Sequence, residues 1–478
     1  MEPSPAGLLV CAGVLVLAYF SRGFLIVGLL ASLAFGSTAM MTLTSLGGSS
    51  PLIYTMFAAL LVAAVAMRRH IWRDLGGVLG SVGPIWVLAA LMLYAVVGAW
   101  LLPRFFAGQT IVFVQSKTRS GVVEASLAPV SANISQTGYF VLGGFTAIAL
   151  CVLLMKGDRI TQVRRGFFVW STLHAAMGLI DLLGKLAGAG DLLKPIRTAS
   201  YAMLTETSEA GFSRIAGAYS EASAFGAVSL ACLAFCYTYW RRTKDRFAKW
   251  LSLLLLLLLV LSTSSTAYVG LMLLGLVVAY HILRSILADR VEAAELQIIA
   301  LLVLAVLAIL AVFLYRPGTL EPFLDLIDKM VINKASSSSG QERAYWNLQS
   351  LQSFGDTSGL GVGMGSSRAS SWLIAVLSQL GLVGSVLMAA LVAATARGLG
   401  SLGKWVSAET DAVVASARNS ALAGLVAGSL ASGSADPGIG FFVAFAVVAA
   451  ARVQARRTRD ATEHWRQAPP SLLLPLRI

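Results

Sequence analysis

Charged residues are scarce in this sequence. Of its 478 residues, 12% are Asp, Glu, Lys or Arg, 57% are hydrophobic, and the mean hydropathy is +0.78. Soluble globular chains carry about a quarter of charged residues. The composition therefore excludes an ordinary soluble enzyme and predicts a membrane protein.

Cysteine is also scarce, and its placement excludes further classes. All cysteines lie inside apolar runs, which argues against an extracellular disulfide framework or a CxxC metal site: Cys11, Cys151, Cys232 and Cys236. The first 21 residues contain no Lys or Arg. We therefore expect no cleavable signal peptide, because such a segment begins with basic residues.

What the sequence has in abundance is long apolar runs. About thirteen of them are long enough to cross a bilayer as helices. The approximate spans are 6–21, 24–45, 51–67, 84–102, 138–155, 166–189, 215–240, 250–262, 264–284, 296–315, 372–396, 412–433 and 438–455. The Ser-Thr cluster at 262–266 separates two of these runs. The prediction is an all-α polytopic membrane protein of about 12–13 transmembrane helices, forming a single membrane domain over residues 1–478.

The net charge of +13 comes from short basic clusters between apolar runs rather than from a nucleic-acid-binding surface. These clusters fall in alternate loops, which is typical of the cytoplasmic side. We therefore expect the bacterial inner membrane, a periplasmic amino terminus and a cytoplasmic carboxyl terminus. Three longer segments lie on the opposite side, at 103–137, 190–214 and 316–371.

We expect the functional residues in these three segments, because a bundle of apolar helices can cross the membrane with short loops and needs long ones only for another function. In the first, β-rich stretches at 110–115 and 122–127 predict a hairpin. In the third, residues 322–331 predict an amphipathic interfacial helix. Residues 336–340 then indicate a flexible joint before a second helix from Gln341. A mobile lid over a membrane cavity and a merely solvated loop both fit this pattern.

Ionisable groups within the apolar runs are costly and therefore candidates for function. Arg214 and Glu221 are spaced i, i+7, which would place them on one helix face, either as a buried ion pair or as active-site groups. In the preceding run, Asp181 and Lys185 are i, i+4 partners that can neutralise one another. His174 there is better explained as an interhelical hydrogen-bonding group than as a catalyst.

Basic residues recur in every long segment. Arginine forks suit phosphate oxygens, so their convergence over a membrane cavity would bind a lipid pyrophosphate, although scattered arginines can also be ordinary surface charge. Tyr345 and Trp346 follow Arg343 and suit sugar stacking or a membrane interface. The glycines of 359–365 do not form a nucleotide loop; they let backbone N–H groups approach a ligand or let the chain enter the membrane before Trp372. The basic residues are Lys117, Arg119, Lys194, Arg197, Lys329, Lys334, Arg343 and Arg368.

Three segments together resemble the O-antigen polymerase and ligase family, membrane glycosyltransferases that use undecaprenyl-pyrophosphate-linked sugars. The stretch RIAGAYSEASAF at 214–225 resembles the family's Arg, Gly and Glu opening of a central helix. STSSTA, within 261–271, is similar to the family's Ser-Arg-Thr turn but lacks its arginine. Arg343 and Trp346, GVGMGSSRASSW at 361–372 and QLGLVG at 379–384 resemble the large outer loop and the helix that follows it.

The resemblance implies a GT-C-like bundle with a long helical periplasmic loop. The ligase branch has a functional histidine in this loop, whereas 316–371 contains none and has Ser370 and Ser371 at the corresponding place. The resemblance therefore favours the polymerase branch, and the GSSRASS form favours an exopolysaccharide over an O-antigen polymerase. An O-antigen ligase-type enzyme and a secondary transporter or flippase of lipid-linked sugars remain the alternatives. The absence of detectable inverted repeats and the long Arg-containing loop favour the enzyme.

The implied substrate is an undecaprenyl-pyrophosphate-linked oligosaccharide. Membrane lipids, and a flippase and a chain-length regulator of the same pathway, are the other expected partners; nucleic acid, cofactors and metal are not expected. The expected catalytic residues are Glu221, as general base or acceptor-orienting group, and Arg214 and Arg343. The expected substrate-binding residues are Arg368, Arg197, Lys194, Tyr219, Tyr345 and Trp346.

Overall fold

The protein is an all-α polytopic membrane protein. The computed structural model describes residues 2–21, 23–43, 49–115, 121–155, 159–200, 203–205, 208–209, 212–315, 328, 333 and 336–467. Its helices are α1 Pro5–Phe20, α2 Phe24–Ser32, α3 Ile53–Ala66, α4 Ile71–Ser81, α5 Pro84–Phe105, α6 Ser131–Met155, α7 Ile160–Leu186, α8 Ala222–Thr243, α9 Arg246–Leu261, α10 Ser265–Leu287, α11 Ala293–Tyr315, α12 Ser338–Asp356, α13 Trp372–Ala396, α14 Ala408–Ala431 and α15 Ile439–Gln467.

Each predicted apolar run contains a helix, and the prediction of a multi-pass helical membrane protein is borne out in part. Within the described residues, eight helices are long and apolar enough to cross a membrane, or nine if α3 and α4 form one span bent by 106°. The Ser-Thr cluster does separate two helices, α9 and α10. Of the remaining predicted spans, 6–21, 24–45 and 250–262 contain α1, α2 and α9, which have 16, 9 and 16 residues, whereas 296–315 contains α11, which has 23 residues.

The clearest shortening is in the run 24–45, where α2 has only nine residues. Beyond it, the backbone bonds to a distant loop instead of to its own helix. The Ser37 N–H donates to the Ala218 carbonyl at 2.9 Å, and the Ala39 N–H donates to Thr198 Oγ1 at 3.0 Å. These long-range hydrogen bonds satisfy the groups that a continuing helix would have satisfied.

In the described part of the chain, three two-stranded sheets accompany the helices. Strands β1 Glu2–Pro3 and β2 Met41–Thr42 pair, as do β3 Ile111–Gln115 with β4 Val122–Ser126 and β5 Ser208–Glu209 with β6 Phe212–Ser213, all antiparallel. The β3–β4 pair is the hairpin that the sequence predicts, with Ile111 opposite Ser126. The predicted amphipathic helix at 322–331 lies outside the described residues, apart from residue 328. The predicted joint at 336–340 is wrong, because Ser337 caps α12 and Ser338–Gly340 lie within it.

The two ends of the bundle differ in character. We call the end formed by the β3–β4 hairpin, α12 and the loops 187–221 and 432–438 the hairpin end. The opposite end, formed by the α8–α9 turn and the segment 397–407, is the basic end. Ion pairs tie helices together there, including Arg164 to Glu409 at 2.7 Å and Arg241 to Glu295 at 2.9 Å.

The core between the two ends is apolar and closely packed. Phe167 stacks on Phe235 with ring centroids 4.2 Å apart, joining α7 to α8. His174 lies in the same interface, where Nε2 is 2.6 Å from Ser229 Oγ. The interpretation of His174 as an interhelical hydrogen-bonding group is therefore confirmed.

Candidate active site

Glu221 lies at the beginning of α8, not two turns within a helix. It is the residue before Ala222 and has extended backbone angles, φ −158° and ψ 161°. The Ser223 hydroxyl donates a hydrogen bond to its Oε1. Arg214 precedes the helix, so the predicted shared helix face is wrong.

The loop before Glu221 is fixed by a buried charge network centred on Asp181. Asp181 Oδ2 accepts hydrogen bonds from the Ala216 N–H at 2.7 Å and the Gly217 N–H at 3.1 Å. Lys185 Nζ lies 3.1 Å from the same oxygen and donates to the Arg214 carbonyl at 2.6 Å. The i, i+4 pairing of Asp181 with Lys185 is thus confirmed, and it also holds the chain between Arg214 and Gly217.

Arg197 belongs to this network. Its Nε donates to the Gly217 carbonyl at 2.9 Å, its Nη2 lies 3.4 Å from Asp181 Oδ1, and its Nη1 pairs with Asp191. The side chain is 2% exposed. A guanidinium engaged in this way has little capacity left for a substrate phosphate, so we interpret Arg197 as a residue that positions the loop before Glu221.

Tyr219 has a similar role. Its hydroxyl donates to the Leu33 carbonyl at 2.7 Å. Its ring covers Gly36, where a Cβ atom would lie 2.1 Å from the ring. Lys194, in contrast, is exposed in the short 3-10 helix Lys194–Ile196. The structure therefore joins Tyr219 to the end of α2 and leaves Lys194 on the surface.

Arg368 lies at the end of a segment that is threaded between helices. Asn133 Nδ2 donates to the Met364 carbonyl at 2.8 Å and to Ser366 Oγ at 2.7 Å. Gln379 Nε2 donates to the Ser367 carbonyl at 2.8 Å and to the Gly433 carbonyl at 3.3 Å. The Arg368 N–H donates to the Phe113 carbonyl at 2.9 Å, which attaches the segment to the hairpin.

Helix α12 brings the aromatic residues to the same place. Phe113 of the hairpin contacts Tyr345 edge-to-face at 5.5 Å and Trp346 at 6.0 Å. The guanidinium carbon of Arg368 lies 5.9 Å from the Trp346 ring centroid, within cation–π range. Tyr345 is 50% exposed and hydrogen-bonded to Glu124, which raises the pKa of its hydroxyl.

Electrostatics link three of the predicted site residues. Part of Arg368 is exposed, but surrounding protein atoms such as those of Gly433 desolvate its guanidinium. Burial is the main cause that lowers the pKa of Arg368; the carboxylate of Glu221 raises this pKa and the charge of Arg343 lowers it. The Ser370 N–H also donates to Asn347 Oδ1 of α12 at 2.8 Å, which holds the helix that carries Arg343 against the Arg368 segment. Glu221 and Arg343 therefore lie close enough to Arg368, at the hairpin end, for their charges to act on it.

The remaining predicted groups are less closely tied to this cluster. The charge of Arg214 acts on Tyr268, in the first turn of α10. Lys117, Arg119, Lys329 and Lys334 lie outside the described residues. Within the described chain, no three His, Cys, Asp or Glu side chains form a group that could hold a metal ion.

Residues that sequence reasoning missed hold the site together. Gln379 joins the Arg368 segment to the loop 432–438, and the Trp372 indole N–H donates to the Ala435 carbonyl at 3.2 Å. Asp436 is in that loop, and its Oδ1 accepts the Gly438 N–H at 2.8 Å. Two polar features of the sequence could have indicated these residues: a glutamine inside an apolar run, and the Asp-Pro-Gly turn between the last two runs.

Comparison with known proteins adds no family to this description. Neither a scan against protein-family models nor a search of curated proteins found a match for the chain.

Proposed function

We propose that this protein is a membrane glycosyltransferase of the polysaccharide polymerase type, with a GT-C-like bundle and its active site at the hairpin end. In this proposal the hairpin end faces the periplasm of a bacterial inner membrane. A growing glycan is transferred from undecaprenyl pyrophosphate to a hydroxyl group of the next lipid-linked repeat unit.

The observation that supports the proposal most is the convergence of Arg343 and Arg368 beside Glu221. Two guanidinium groups and one carboxylate leave a net positive charge, which is unfavourable in a partly desolvated site unless an anion binds there. Planar guanidinium groups match the oxygen geometry of a pyrophosphate. The adjoining Trp346 and Tyr345 offer ring faces suited to sugars.

The proposed reaction balances with these residues alone. The acceptor hydroxyl oxygen forms a bond to the anomeric carbon of the growing glycan while the bond from that carbon to the pyrophosphate oxygen breaks. The electron pair leaves with the pyrophosphate, whose charge Arg343 and Arg368 neutralise. Glu221 takes the acceptor proton. Asp181, Lys185 and Arg197 act through the loop 214–217 by keeping Glu221 in place.

The test is product formation by the purified protein incubated with lipid-linked repeat units. We expect a ladder of glycans that grows by one repeat unit at each step. Arg343→Lys keeps the charge but loses the planar fork, so the ladder should weaken at least about tenfold. Arg104→Lys is the matched control, because Arg104 is an exposed arginine at the hairpin end of α5.

Two outcomes would contradict this proposal. Full activity of Arg343→Ala would show that Arg343 is ordinary surface charge. Movement of lipid-linked sugars across the bilayer without any new glycosidic bond would identify a transporter instead of a polymerase.

A further inference from the structure

A polar cavity lies at the basic end, at the opposite end of the bundle from the proposed active site. It has a volume of about 340 Å³ and is lined by residues of α8, α14 and the segment 398–404. This volume is near the lower limit for ligand-binding pockets in proteins, which is about 300 Å³.

The charges that line this cavity are not balanced. Arg242, Lys404 and Arg418 contribute three positive charges, and Asp411 contributes one negative charge, which gives a net charge of +2. Arg242 is paired with Asp411. Arg452 lies behind the wall and donates to the Gly398 carbonyl at 2.5 Å, which adds a further positive charge to this region.

Arg418 is the most unusual of these residues. It lies ten positions after the first residue of α14, Ala408, or about 15 Å along the helix axis. Its Nε and Nη2 donate to the side-chain oxygen of Asn419 at 3.0 and 2.9 Å. Among the ion pairs of described residues, Arg418 has no carboxylate partner. A charge inside a membrane-spanning helix with only an amide partner is costly.

The surrounding residues fix the guanidinium of Arg418 at the cavity. Asn419 Nδ2 donates to Thr238 Oγ1 at 3.0 Å, which orients the amide oxygen toward Arg418. On the other side, a Cβ atom on Gly398 would lie 2.9 Å from Arg418 Nη1. Because Gly398 has no side chain, the guanidinium of Arg418 can occupy this space.

We propose that this cavity is a binding site for a phosphate-bearing anion. A net charge of +2 matches a phosphoryl group that carries up to two negative charges, and arginine is the side chain best suited to its oxygens. The phosphate comes either from a soluble compound at the basic end or from the headgroup of a membrane lipid. This site is separate from the proposed active site and does not depend on the proposed reaction.

The experiment measures the melting temperature of the full chain in phosphatidylcholine nanodiscs. One arm adds sodium diphosphate, with sodium chloride at matched ionic strength as the reference. The other arm replaces part of the phosphatidylcholine by phosphatidylglycerol. A rise of about 2 °C or more in the first arm identifies a soluble phosphate, and a rise only in the second identifies a lipid headgroup.

The variants separate this site from general charge effects. Arg418→Gln should weaken the response about 10- to 100-fold in apparent affinity. Arg69→Gln, at an exposed arginine of the α3–α4 turn, should respond like the wild type. If Arg418→Gln does not fold, Lys404→Gln at an exposed position must reduce the response instead. The proposal is overturned if neither arm raises the melting temperature or if the cavity variants respond like the wild type.

Discussion

At the scale of single residues, Glu221 is the carboxylate in the described part of the chain whose charge acts on Arg368. It begins α8 in an extended conformation, so its side chain is held by the loop before it and by Ser223 rather than by a helix face. The proposed reaction needs an acceptor for one proton close to the bound pyrophosphate. Glu221 meets that requirement through its position beside Arg368.

The variant Glu221→Gln tests this role. It keeps the size and a hydrogen-bond acceptor for Ser223 but cannot take a proton, so glycan formation should fall about 10²–10⁴-fold. Lipid-linked substrate should still bind, and the melting temperature of detergent-purified protein should stay near that of the wild type. Near-normal ladders together with lowered stability would instead identify Glu221 as a structural partner of Arg368.

The sequence indicated Arg343, Arg368, Trp346 and Glu221 as candidates because charged and aromatic residues stand out in an apolar chain. It did not reveal that Arg197 and Tyr219 are held by contacts within the protein. Their roles depend on contacts with Asp181 and with the end of α2, and such contacts between distant parts of the chain leave no local pattern. Sequence alone shows which side chains are unusual, whereas the fold determines which of them face a substrate.

At the scale of elements, the segment 359–366 and the broken helix α13 form one unit. Gly381 interrupts α13 with φ 63° and ψ −169°. The Val362 and Gly363 N–H groups donate to the carbonyls of Ser378 and Gln379, just before this break, at 2.8 and 3.0 Å. Gly361, Gly363 and Gly365 therefore let the chain pass close to the backbone of neighbouring helices, at Gly381, Gly98 and Ala132.

Replacing Gly381 tests this unit. A Cβ atom there would lie 2.2 Å from the Leu360 carbonyl oxygen, and the positive φ disfavours any side chain. Gly381→Ala should therefore lower stability by about 1–3 kcal/mol and weaken glycan formation by displacing the Arg368 segment. Gly275→Ala, in α10 with open space around it, should leave stability unchanged or raise it. Equal melting temperatures for the two variants would contradict this account.

The loop 432–438 predicts a pH effect. Burial raises the pKa of Asp436 to about 6, although the Gly438 N–H partly opposes the shift. Because the folded state keeps this proton more tightly than the unfolded state does, the contribution of Asp436 to stability falls as the pH rises from about 4 to about 6.

The variant Asp436→Asn removes this titration but can still accept the Gly438 hydrogen bond. Its melting temperature relative to the wild type should therefore rise between about pH 4 and pH 6 and stay constant above that range. The measurement is a pair of thermal unfolding series across this pH range. A difference between the two proteins that does not change with pH would show that Asp436 is not buried in the folded state.

At the scale of the whole molecule, every apolar run that hydropathy located contains a helix, and the Ser-Thr cluster located the α9–α10 turn, whereas α4 lies outside these runs. The hairpin at 111–126 was predictable because its two β-rich stretches are adjacent in sequence. The short α2 and the late start of α8 were not predictable. The short α2 depends on the hydrogen bond between Ser37 and Ala218, and the late start of α8 depends on those between the Asp181 network and the loop 214–217. Both sets of bonds join segments far apart in sequence.

The central claim is that the hairpin end is both the periplasmic end and the active end. Ala344 is an exposed neighbour of Arg343 on α12, and the chain's own cysteines are buried. Ala344→Cys should therefore remain active and react with a membrane-impermeant thiol reagent. Arg69→Cys, at the basic end, should react only after the membrane is opened.

The most direct measurement is glycan formation in right-side-out membrane vesicles that contain the Ala344→Cys variant, before and after treatment with this reagent. The account predicts rapid labelling and a loss of glycan formation, because the bulky adduct would lie beside Arg343. Failure to label Ala344→Cys in sealed vesicles would contradict the proposed orientation. Complete labelling with glycan formation unchanged would contradict the proposed active site.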